Sequence, residues 1–390
     1  MPALPDSTWG ANRREAEKIP LRFRLLGVER DSKARAGEIE TLHGRVQTPV
    51  FMPVGTQATV KTLTPRQLKE IGVEALMCNA YHLSLRPGEG AVKALGGLHS
   101  FMGWDRTIVT DSGGFQVFSL KGLTRVSEEG VEFCSPFTGE RVFLSPERVI
   151  EIQKALGSDI MMPFDQCVSY PCQRDEAREA MLRTYRWTRR CWAARGDSPQ
   201  ALFGIVQGSV FRDLREESAQ CLAEMELDGY AVGGLSVGEG RYLMKEVLDY
   251  TIDKLPWDKP RYLMGVGPPE DILDAVEQGV DMFDCVLPTR NGRNGYAFTS
   301  MGRIKLFNSV YKEDPMPLDE NCGCYTCRNF SRAYLRHLFF AGEILAMTLV
   351  SLHNLFFFQD VMSRARQAIL GGTFRSLKEK LLEAQRREEN

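Results

Sequence analysis

Eight strand-like runs, separated by stretches of helical periodicity, follow one another along this chain of 390 residues. Several runs are continuous in Val, Ile, Leu, Met and Phe, which is typical of parallel strands buried on both faces. Alternation of this kind, repeated eight times, predicts a closed (βα)8 barrel of the TIM type. The predicted strands span 48–55, 74–83, 106–114, 158–167, 201–208, 229–238, 260–267 and 280–289.

Cap residues and prolines mark the starts of two predicted helices. Thr64 precedes Pro65 and Ser145 precedes Pro146, as expected for an N-cap followed by proline at the first helical position. Further amphipathic stretches cover 176–190, 214–226, 242–254 and 269–279. A doubly wound open sheet is the structural alternative, but no G-x-G-x-x-G motif follows the first strand. We also expect a small antiparallel sheet at 21–47, before the barrel.

Composition sets limits on the class of protein. A hydrophobic content of 43% and a net charge of -2 indicate a globular chain without an overall basic field, so any nucleic-acid surface must be local. Seven of the ten cysteines are scattered, which suits the reducing cytoplasm. No apolar leader appears in residues 1–20. Residues 338–358 are the most apolar region, but polar residues interrupt it, and we expect a buried or interface helix and no membrane span.

Three aspartates each end a short apolar run: Asp111, Asp165 and Asp284. Gln207 and Gly234 hold the same position after two other runs. A lone aspartate at the end of a strand is usually a turn or helix cap. The C-terminal ends of barrel strands carry the chemistry of this fold, however, and buried carboxylates are costly unless they are used. The set therefore predicts an active site.

A second cluster lies near the C-terminus. Cys322, Cys324 and Cys327 fall within six residues, and His353 lies on a later helical stretch. Three thiolates and one imidazole form a complete tetrahedral set for a structural Zn²⁺ ion. The alternative is three free cysteines in a loop, but this loop is polar and free cysteine favours interiors.

Five motifs follow one another along the chain: Thr-Asp111-Ser-Gly-Gly-Phe-Gln, Gly-Ile-Val-Gln207-Gly, Gly-Gly234-Leu-Ser-Val-Gly-Glu, Tyr-Leu-Met264-Gly-Val-Gly and Asp-Met-Phe-Asp284-Cys-Val-Leu-Pro-Thr-Arg. Taken together in this order, they resemble the tRNA-guanine transglycosylase (queuine tRNA-ribosyltransferase) family, whose members exchange guanine for a 7-deazaguanine base in tRNA. The resemblance covers residues 21–375 and includes the Cys3His cluster.

The resemblance implies a role for each site residue. Asp284 is expected to be the nucleophile and Asp111 the acid/base, an assignment that the residues alone do not make. Cys322, Cys324, Cys327 and His353 are expected to hold one Zn²⁺ ion. The expected base-binding residues are Ser112, Phe115, Asp165, Cys167, Gln207, Gly234, Leu235, Val237 and Met264.

Elementary chemistry agrees with these roles. Exchange at a glycosidic carbon without inversion requires double displacement by one carboxylate and proton transfer by another. Guanine presents two parallel N–H donors, which a single carboxylate such as Asp165 accepts together. Phe115 and Met264 are suited to stacking on the ring; core packing is the alternative for both, and it explains Met264 almost as well. The target base must be unstacked, so we expect a single-stranded loop as substrate, namely the anticodon loop of tRNA.

Details within the motifs indicate the subtype and the partners. Cys167 and Val237 resemble the bacterial form, which implies 7-aminomethyl-7-deazaguanine as the incoming base. Gln166 stands where bacterial members usually carry Glu, which removes a charge beside the base. Arg290 and Arg293 are expected to hold tRNA phosphates from a glycine-rich loop. Aromatic residues at helical spacing in 330–340 are explained equally well by core packing and by a homodimer interface.

The expected organisation has four parts. An N-terminal extension (1–20) precedes the barrel with its small sheet (21–305), and a zinc-binding helical subdomain (306–375) is followed by a charged tail (376–390) that we expect to be exposed. Two other functions are weighed. A non-catalytic tRNA-binding subunit would not need Asp284, and a hydrolytic nucleosidase would leave the Cys3His cluster and the Arg290 segment unexplained.

Overall fold

The structure, a computed structural model, describes residues 20–118 and 124–386; residues 1–19 of the expected extension and 387–390 of the expected tail lie outside the described residues. In chain order the strands are β1 (Arg22–Val28), β2 (Arg35–Thr41), β3 (Gly44–Thr48), β4 (Val50–Gly55), β5 (Ala75–Asn79), β6 (Thr107–Asp111), β7 (Thr124–Val126), β8 (Val131–Cys134), β9 (Arg141–Leu144), β10 (Ile160–Met161), β11 (Ala201–Val206), β12 (Gly229–Val232), β13 (Arg261–Leu263), β14 (Met282–Cys285), β15 (Tyr296–Thr299) and β16 (Gly302–Lys305). The helices are α1 (Pro65–Glu70), α2 (Ala80–Leu85), α3 (Glu89–Ala94), α4 (Gly97–Met102), α5 (Gly114–Phe118), α6 (Pro146–Leu156), α7 (Arg174–Arg195), α8 (Arg212–Ala223), α9 (Arg241–Ile252), α10 (Pro269–Glu277), α11 (Leu287–Arg293), α12 (Tyr325–Asn329), α13 (Arg332–Phe340), α14 (Ile344–Leu370) and α15 (Phe374–Arg386).

The parallel strands form a closed barrel. Within the described residues, β4, β5, β6 and β10 to β14 neighbour one another in chain order, and β14 pairs with β4 to complete the ring. Each predicted strand run supplies one barrel strand, which confirms the (βα)8 prediction. The strands are shorter than predicted. The run 74–83 leaves the sheet at Asn79, because the Asn79 side chain accepts the N–H of His82 at 2.9 Å and caps α2.

The predicted N-terminal antiparallel sheet is also confirmed, as β1, β2 and β3. Arg35 of β2 is fully buried and donates to both carboxylate oxygens of Asp281, the residue before β14. The same guanidinium donates to the carbonyls of Trp257 and Lys259 at 2.6 and 2.7 Å. Since these partners precede β14 and β13, the sheet lies at the N-terminal end of the barrel. The opposite end of the barrel is left for the site.

An inserted sheet of β7, β8 and β9 separates β6 from α6 and was not predicted. Its strands have three or four residues, too few for a periodic signal of the kind used to assign strands. Val131 and Phe133 of β8 are buried, and the Phe133 ring lies 5.4 Å from the ring of Tyr81 on α2. The insertion is thereby anchored beside the end of β5.

The apolar region 338–358, for which we expected a buried or interface helix, is divided between the end of α13 and the first half of α14. By length and composition α14 is long and apolar enough to cross a membrane, so the argument from interrupting polar residues was too strict. However, 61% of its most apolar window is buried inside the protein. Gln359 of α14 donates to the carbonyl of Phe51 in β4 at 3.0 Å. α14 therefore packs as a core helix against the barrel.

The expectation of an exposed C-terminal tail holds for only one face of α15, because Phe374, Lys378 and Leu381 are buried. Lys378 is buried, and its ammonium group lies 2.5 Å from Asp274 and 2.7 Å from Glu277, both on α10. The Lys/Glu-rich composition suggested a solvated helix, yet one lysine of that helix is used to fasten it to the barrel. Composition alone does not distinguish a charge that is paired across an interface from one that is solvated.

Candidate active site and metal cluster

A cavity of about 360 Å³ opens among the residues that follow the C-terminal ends of the barrel strands. Catalytic residues lie at this end in (βα)8 barrels, and the volume is within the range of small-molecule sites. Of the residues predicted to be catalytic or to bind the base or tRNA, Gln207 and Arg293 do not line the cavity. Those that do are Asp111, Ser112, Phe115, Asp165, Cys167, Gly234, Leu235, Val237, Met264, Asp284 and Arg290.

One end of the cavity is formed by Asp165, which is buried. Burial raises its pKa to about 6, although hydrogen bonds from Gln207 and Ser112 act in the opposite direction. The Gln207 amide donates to Asp165 Oδ2 at 2.8 Å, which places this side chain behind the carboxylate and not on the cavity wall. At neutral pH Asp165 is therefore mainly an acceptor of hydrogen bonds.

Asp111 ends β6 beside Asn79, its pairing partner at the end of β5. The Asn79 amide donates to Asp111 Oδ2 at 2.8 Å, and Gln116 donates to the same oxygen at 3.4 Å. Oδ1 is buried and has no hydrogen-bond partner among the described residues. Burial, followed by the negative charge of Asp284, raises the pKa of Asp111 to about 7. This carboxyl group is suited to exchanging a proton near neutral pH.

Asp284 lies on β14, and one of its oxygens is firmly held. The phenol of Tyr262 and the backbone N–H of Gly265, at 2.8 Å, both donate to Oδ1. Burial raises the pKa of Asp284, and these two hydrogen bonds lower it. Within the described residues, Oδ2 of Asp284 has no hydrogen-bond partner. The carboxylate is thus fixed through one oxygen while the other is available to a ligand.

The turn Gly233–Gly234–Leu235 after β12 forms another wall of the cavity. Gly234 has a φ of +65°, and a Cβ atom there would lie 2.5 Å from Gln207 Oε1, so only glycine fits. The next two backbone N–H groups, of Ser236 and Val237, donate to the Glu239 carboxylate. The wall is therefore fixed through backbone groups.

The mouth of the cavity carries Phe115, Met264 and Arg290. Phe115 is 57% exposed, as expected of a ring with space to stack on a ligand. The prediction that Arg290 and Arg293 lie on a glycine-rich loop was wrong, since both belong to helix α11. Gly292 serves a different purpose: a Cβ atom there would lie 2.7 Å from the backbone of Ser351, so glycine allows α11 and α14 to pack closely.

The polar group of Gln166 does not face the cavity, contrary to the expectation of a missing charge beside the base. Its amide oxygen accepts a hydrogen bond from Arg183 on α7 at 2.5 Å. Its backbone N–H donates to Thr184 at 2.9 Å. The residue therefore binds the helix that follows β10.

The predicted metal ligands lie together. His353 Nδ1 is 3.6, 3.5 and 3.3 Å from the sulfur atoms of Cys322, Cys324 and Cys327. Bonds of 2.0 to 2.3 Å around a tetrahedral Zn²⁺ place neighbouring ligand atoms roughly 3.5 Å apart, so the four atoms fit such an ion. His353 Nε2 contacts the carbonyl of Phe298 at 2.7 Å, which leaves Nδ1 as the ligand atom. These four residues could hold a metal ion.

Sequence reasoning assigned no role to four groups that order the cavity: Asn79, Tyr262, Glu239 and Arg215. Asn79 ends β5 as Asp111 ends β6, but the predicted run 74–83 placed Asn79 within a strand, so its position gave no signal. Tyr262 is a buried aromatic residue within a strand, which reads as core. Arg215 lies on an amphipathic helix, where arginine is usually solvated. Only the fold brings these groups next to the residues they support.

The fold and the site together define a (βα)8-barrel protein with a carboxylate-lined cavity and a separate Cys3His cluster that could hold a metal ion. The family model described as queuine tRNA-ribosyltransferase matches residues 31–387. A "queuine tRNA-ribosyltransferase" of Thermoanaerobacter pseudethanolicus is 56% identical over 350 residues, covering 90% of this chain and 93% of that protein. The protein of the same name from Francisella tularensis subsp. novicida is 52% identical over 355 residues, with 91% and 97% covered. This chain belongs to the queuine tRNA-ribosyltransferase family.

Proposed function

We propose that this chain exchanges the wobble guanine of G-U-N tRNAs for 7-aminomethyl-7-deazaguanine, a step of queuosine biosynthesis, by double displacement. The observation that carries the proposal is that Asp111, Asp165 and Asp284 line one cavity, at the barrel end where chemistry is expected. The names of the relatives support the class of reaction. The substrate and the role of each carboxylate are our inference from the geometry.

Asp165 is the base-reading group in this proposal. As a carboxylate it accepts the ring N–H and the exocyclic amine of guanine together. The Gln207 amide holds Asp165 in place from behind the cavity wall, and the backbone N–H of Gly234 is the donor that we assign to the base carbonyl. Adenine offers one amine donor next to a bare ring nitrogen, and it would leave the buried Asp165 oxygens poorly matched.

Asp284 is the nucleophile. Its Oδ2 forms a bond to the anomeric carbon of the ribose as the bond from that carbon to the purine breaks. The hydrogen bonds from Tyr262 and Gly265 to Oδ1 support this role, because they fix the attacking group while leaving the second oxygen available. The incoming base then attacks the same carbon and releases the carboxylate, so the configuration of the sugar is retained.

Asp111 moves the proton. It gives a proton to the purine as the glycosidic bond breaks, and it takes one from the incoming base in the second step. A pKa of about 7 supports this role, because both protonation states are populated at neutral pH. Covalent capture of the sugar by Asp284 also removes a negative charge from beside Asp111, which favours its ionised form for the second step.

The incoming base is recognised through the Leu235 carbonyl, which accepts from the aminomethyl ammonium group. The Ser236 N–H of the same peptide donates to Glu239. In a trans peptide the C=O and N–H groups point in opposite directions, so the Leu235 carbonyl is turned away from Glu239. Cys167 and Val237 limit the space around this group, and we propose that they exclude the larger substituent of queuine.

The RNA contributes its anticodon loop, from which the target nucleotide is turned out into the cavity. Arg290 is exposed at the cavity mouth and is placed to bind a neighbouring phosphate. Arg293 is one turn further along α11 and lies outside the cavity lining; a contact with the next phosphate is the role we propose for it. A binding surface confined to one face agrees with the overall charge of -2.

We propose that the Cys3His cluster binds one structural Zn²⁺ ion and organises residues 306–375 as a helical subdomain on the barrel of residues 21–305. We further propose that the protein acts in the cytoplasm as a homodimer. Exposed aromatic residues support the dimer: Tyr325 and Phe340 are each 60% exposed, and Tyr334 is stacked on Phe330. Aromatic side chains are enriched at such interfaces.

The alternatives fit the site less well. A non-catalytic tRNA-binding subunit has no use for a nucleophile that two donors hold in place, as Tyr262 and Gly265 hold Asp284. A hydrolytic nucleosidase needs water where this cavity presents Leu235 and Val237 to a second base. Base exchange uses each of these features.

Incubation with labelled guanine and unmodified tRNA bearing a G-U-N anticodon tests the proposal. We expect label in the RNA and, on denaturing gels, a covalent RNA–protein adduct. Asp284→Asn should abolish the adduct while tRNA binding persists, and Asp197→Asn, the same change at an exposed position, should retain it. An undiminished adduct with Asp284→Asn would refute the assignment of the nucleophile.

A further inference from the structure

Arg215 of α8 is a buried cation for which the proposed reaction has no direct use. Its side chain is fully buried. Within the described residues it forms no ion pair with a carboxylate, and burial lowers its pKa to about 10. A buried charge without an ion-pair partner is destabilising, so Arg215 must have a role that offsets this loss of stability.

Within the described residues the guanidinium donates to four backbone carbonyls, and two of them, those of Gly233 and Gly234, belong to residues that line the cavity. It donates to Val206 at 2.9 Å and to Ser209 at 2.6 Å, the residues on either side of the Gln207–Gly208 pair. It also donates to Gly233 at 2.8 Å and to Gly234 at 3.3 Å. One planar group therefore joins the ends of β11 and β12.

These contacts fix the direction of two N–H donors. In a trans peptide the C=O and N–H groups point in opposite directions. Because the Gly233 carbonyl is turned toward Arg215, the Gly234 N–H is turned away from it, and the Gly234 carbonyl fixes the Leu235 N–H in the same way. Gly233, Gly234 and Leu235 all line the cavity. Arg215 thus fixes both peptide N–H groups from the side opposite to the direction in which they point.

We propose that Arg215, which is also bound to the end of β11, is a positioning residue that sets the peptide N–H donors after β12 against the carbonyl oxygen of a purine. This inference rests on the proposed function. It adds that recognition of the purine carbonyl depends on a planar, multidentate cation behind the site. Lysine cannot replace it, because a single ammonium cannot span carbonyls on two strands.

The test compares guanine with 6-thioguanine. Both bases present the same two N–H donors to Asp165, but sulfur is a weak acceptor, so only guanine benefits from well-placed donors at the carbonyl. Dissociation constants are measured by calorimetry on the whole chain. We expect Arg215→Lys to weaken guanine binding by about tenfold and 6-thioguanine binding by less than about twofold. The preference for guanine should therefore shrink.

Arg261→Lys is the matched control. Arg261 is also buried, has a pKa lowered by burial to about 10, and donates to the Leu255 carbonyl, but it lies at the start of β13 and outside the cavity. The Arg261→Lys variant should have a lower free energy of unfolding, but its preference for guanine over 6-thioguanine should not change. Arg215→Gln, which keeps two N–H donors without a charge, covers failure of Arg215→Lys to fold and should also reduce the preference.

Two results would count against the inference, and they differ. An unchanged ratio of the two dissociation constants in Arg215→Lys or Arg215→Gln overturns the role of Arg215 and leaves the proposed function standing. A wild-type protein that neither binds guanine nor incorporates it into tRNA overturns the proposed function, and the inference with it. Equal weakening of both bases would show that Arg215 is structural only.

Discussion

Replacing Asp111 with asparagine should stabilise the protein while it removes the proposed acid/base. Asp111 has one buried oxygen without a partner, and its pKa is raised to about 7 from the ordinary 3.8 by burial and by Asp284. The folded protein therefore binds this proton more tightly than the unfolded chain does. The stabilising contribution of the protonated group is complete below about pH 4, and it is lost as the pH rises through about 7.

The expected size follows from the difference between the two pKa values, which is about 3. Since one pKa unit corresponds to about 1.4 kcal/mol, ionised Asp111 destabilises the fold by about 4 kcal/mol at the limit of high pH. At pH 5 the folded protein keeps the proton and the penalty is about 2 kcal/mol. Asparagine does not titrate, so the gain from Asp111→Asn should be about 2 kcal/mol larger at pH 8 than at pH 5.

Urea denaturation of the wild type and of Asp111→Asn at both pH values measures this gain. Asp197→Asn, at an exposed position, is the control for the chemical change itself. In an Asp284→Asn background the dependence on pH should shrink, because one cause of the raised pKa is removed. A stability difference that is the same at pH 5 and pH 8 would refute the raised pKa, and with it the physical basis for the acid/base assignment.

Three further predictions concern the fold, the metal cluster and the base. Arg35→Met should lower the free energy of unfolding by about 3–5 kcal/mol, because Asp281 is left buried and unpaired, whereas the double variant Arg35→Met/Asp281→Asn should recover part of that loss in urea titrations. Cys324→Ser should release the zinc ion, as measured by elemental analysis, while Cys221→Ser outside the cluster should keep it; full occupancy in Cys324→Ser would contradict the site. In competition for tRNA incorporation, 7-aminomethyl-7-deazaguanine should prevail over queuine, and the opposite order would mean that the space beside Cys167 was misjudged.

The barrel and the three aspartates were predictable because each produces a local pattern in the sequence. A strand buried on two faces is a continuous apolar run, and repetition with helices between the runs leaves few topologies. An aspartate at the end of such a run must lie at the same edge as the others. Asp111, Asp165 and Asp284 therefore followed from position alone, whereas their separate roles did not.

The side chains that hold the site residues in position produce no such local pattern in the sequence. Tyr262 is an aromatic residue in a buried strand, and Arg215 is a charge on an amphipathic helix, so local pattern favours core for one and surface for the other. Their roles depend on which strand ends become neighbours. The prediction at Gly292 was wrong for a different reason. Glycines next to Arg290 and Arg293 predicted a loop, but Gly292 permits close contact between two helices. Tertiary packing determines whether such a glycine lies in a loop or at a contact between helices.

The contact between Gly292 and Ser351 links two parts of the molecule that perform different tasks. Ser351 precedes the metal ligand His353 by two residues on α14, and Gly292 follows Arg290 by two residues on α11. The position of Arg290 is therefore linked to a helix that carries one of the four residues able to hold a metal ion. With the proposed Zn²⁺ ion holding α14 in place, we expect a chelating agent to weaken binding of RNA before it weakens binding of free guanine.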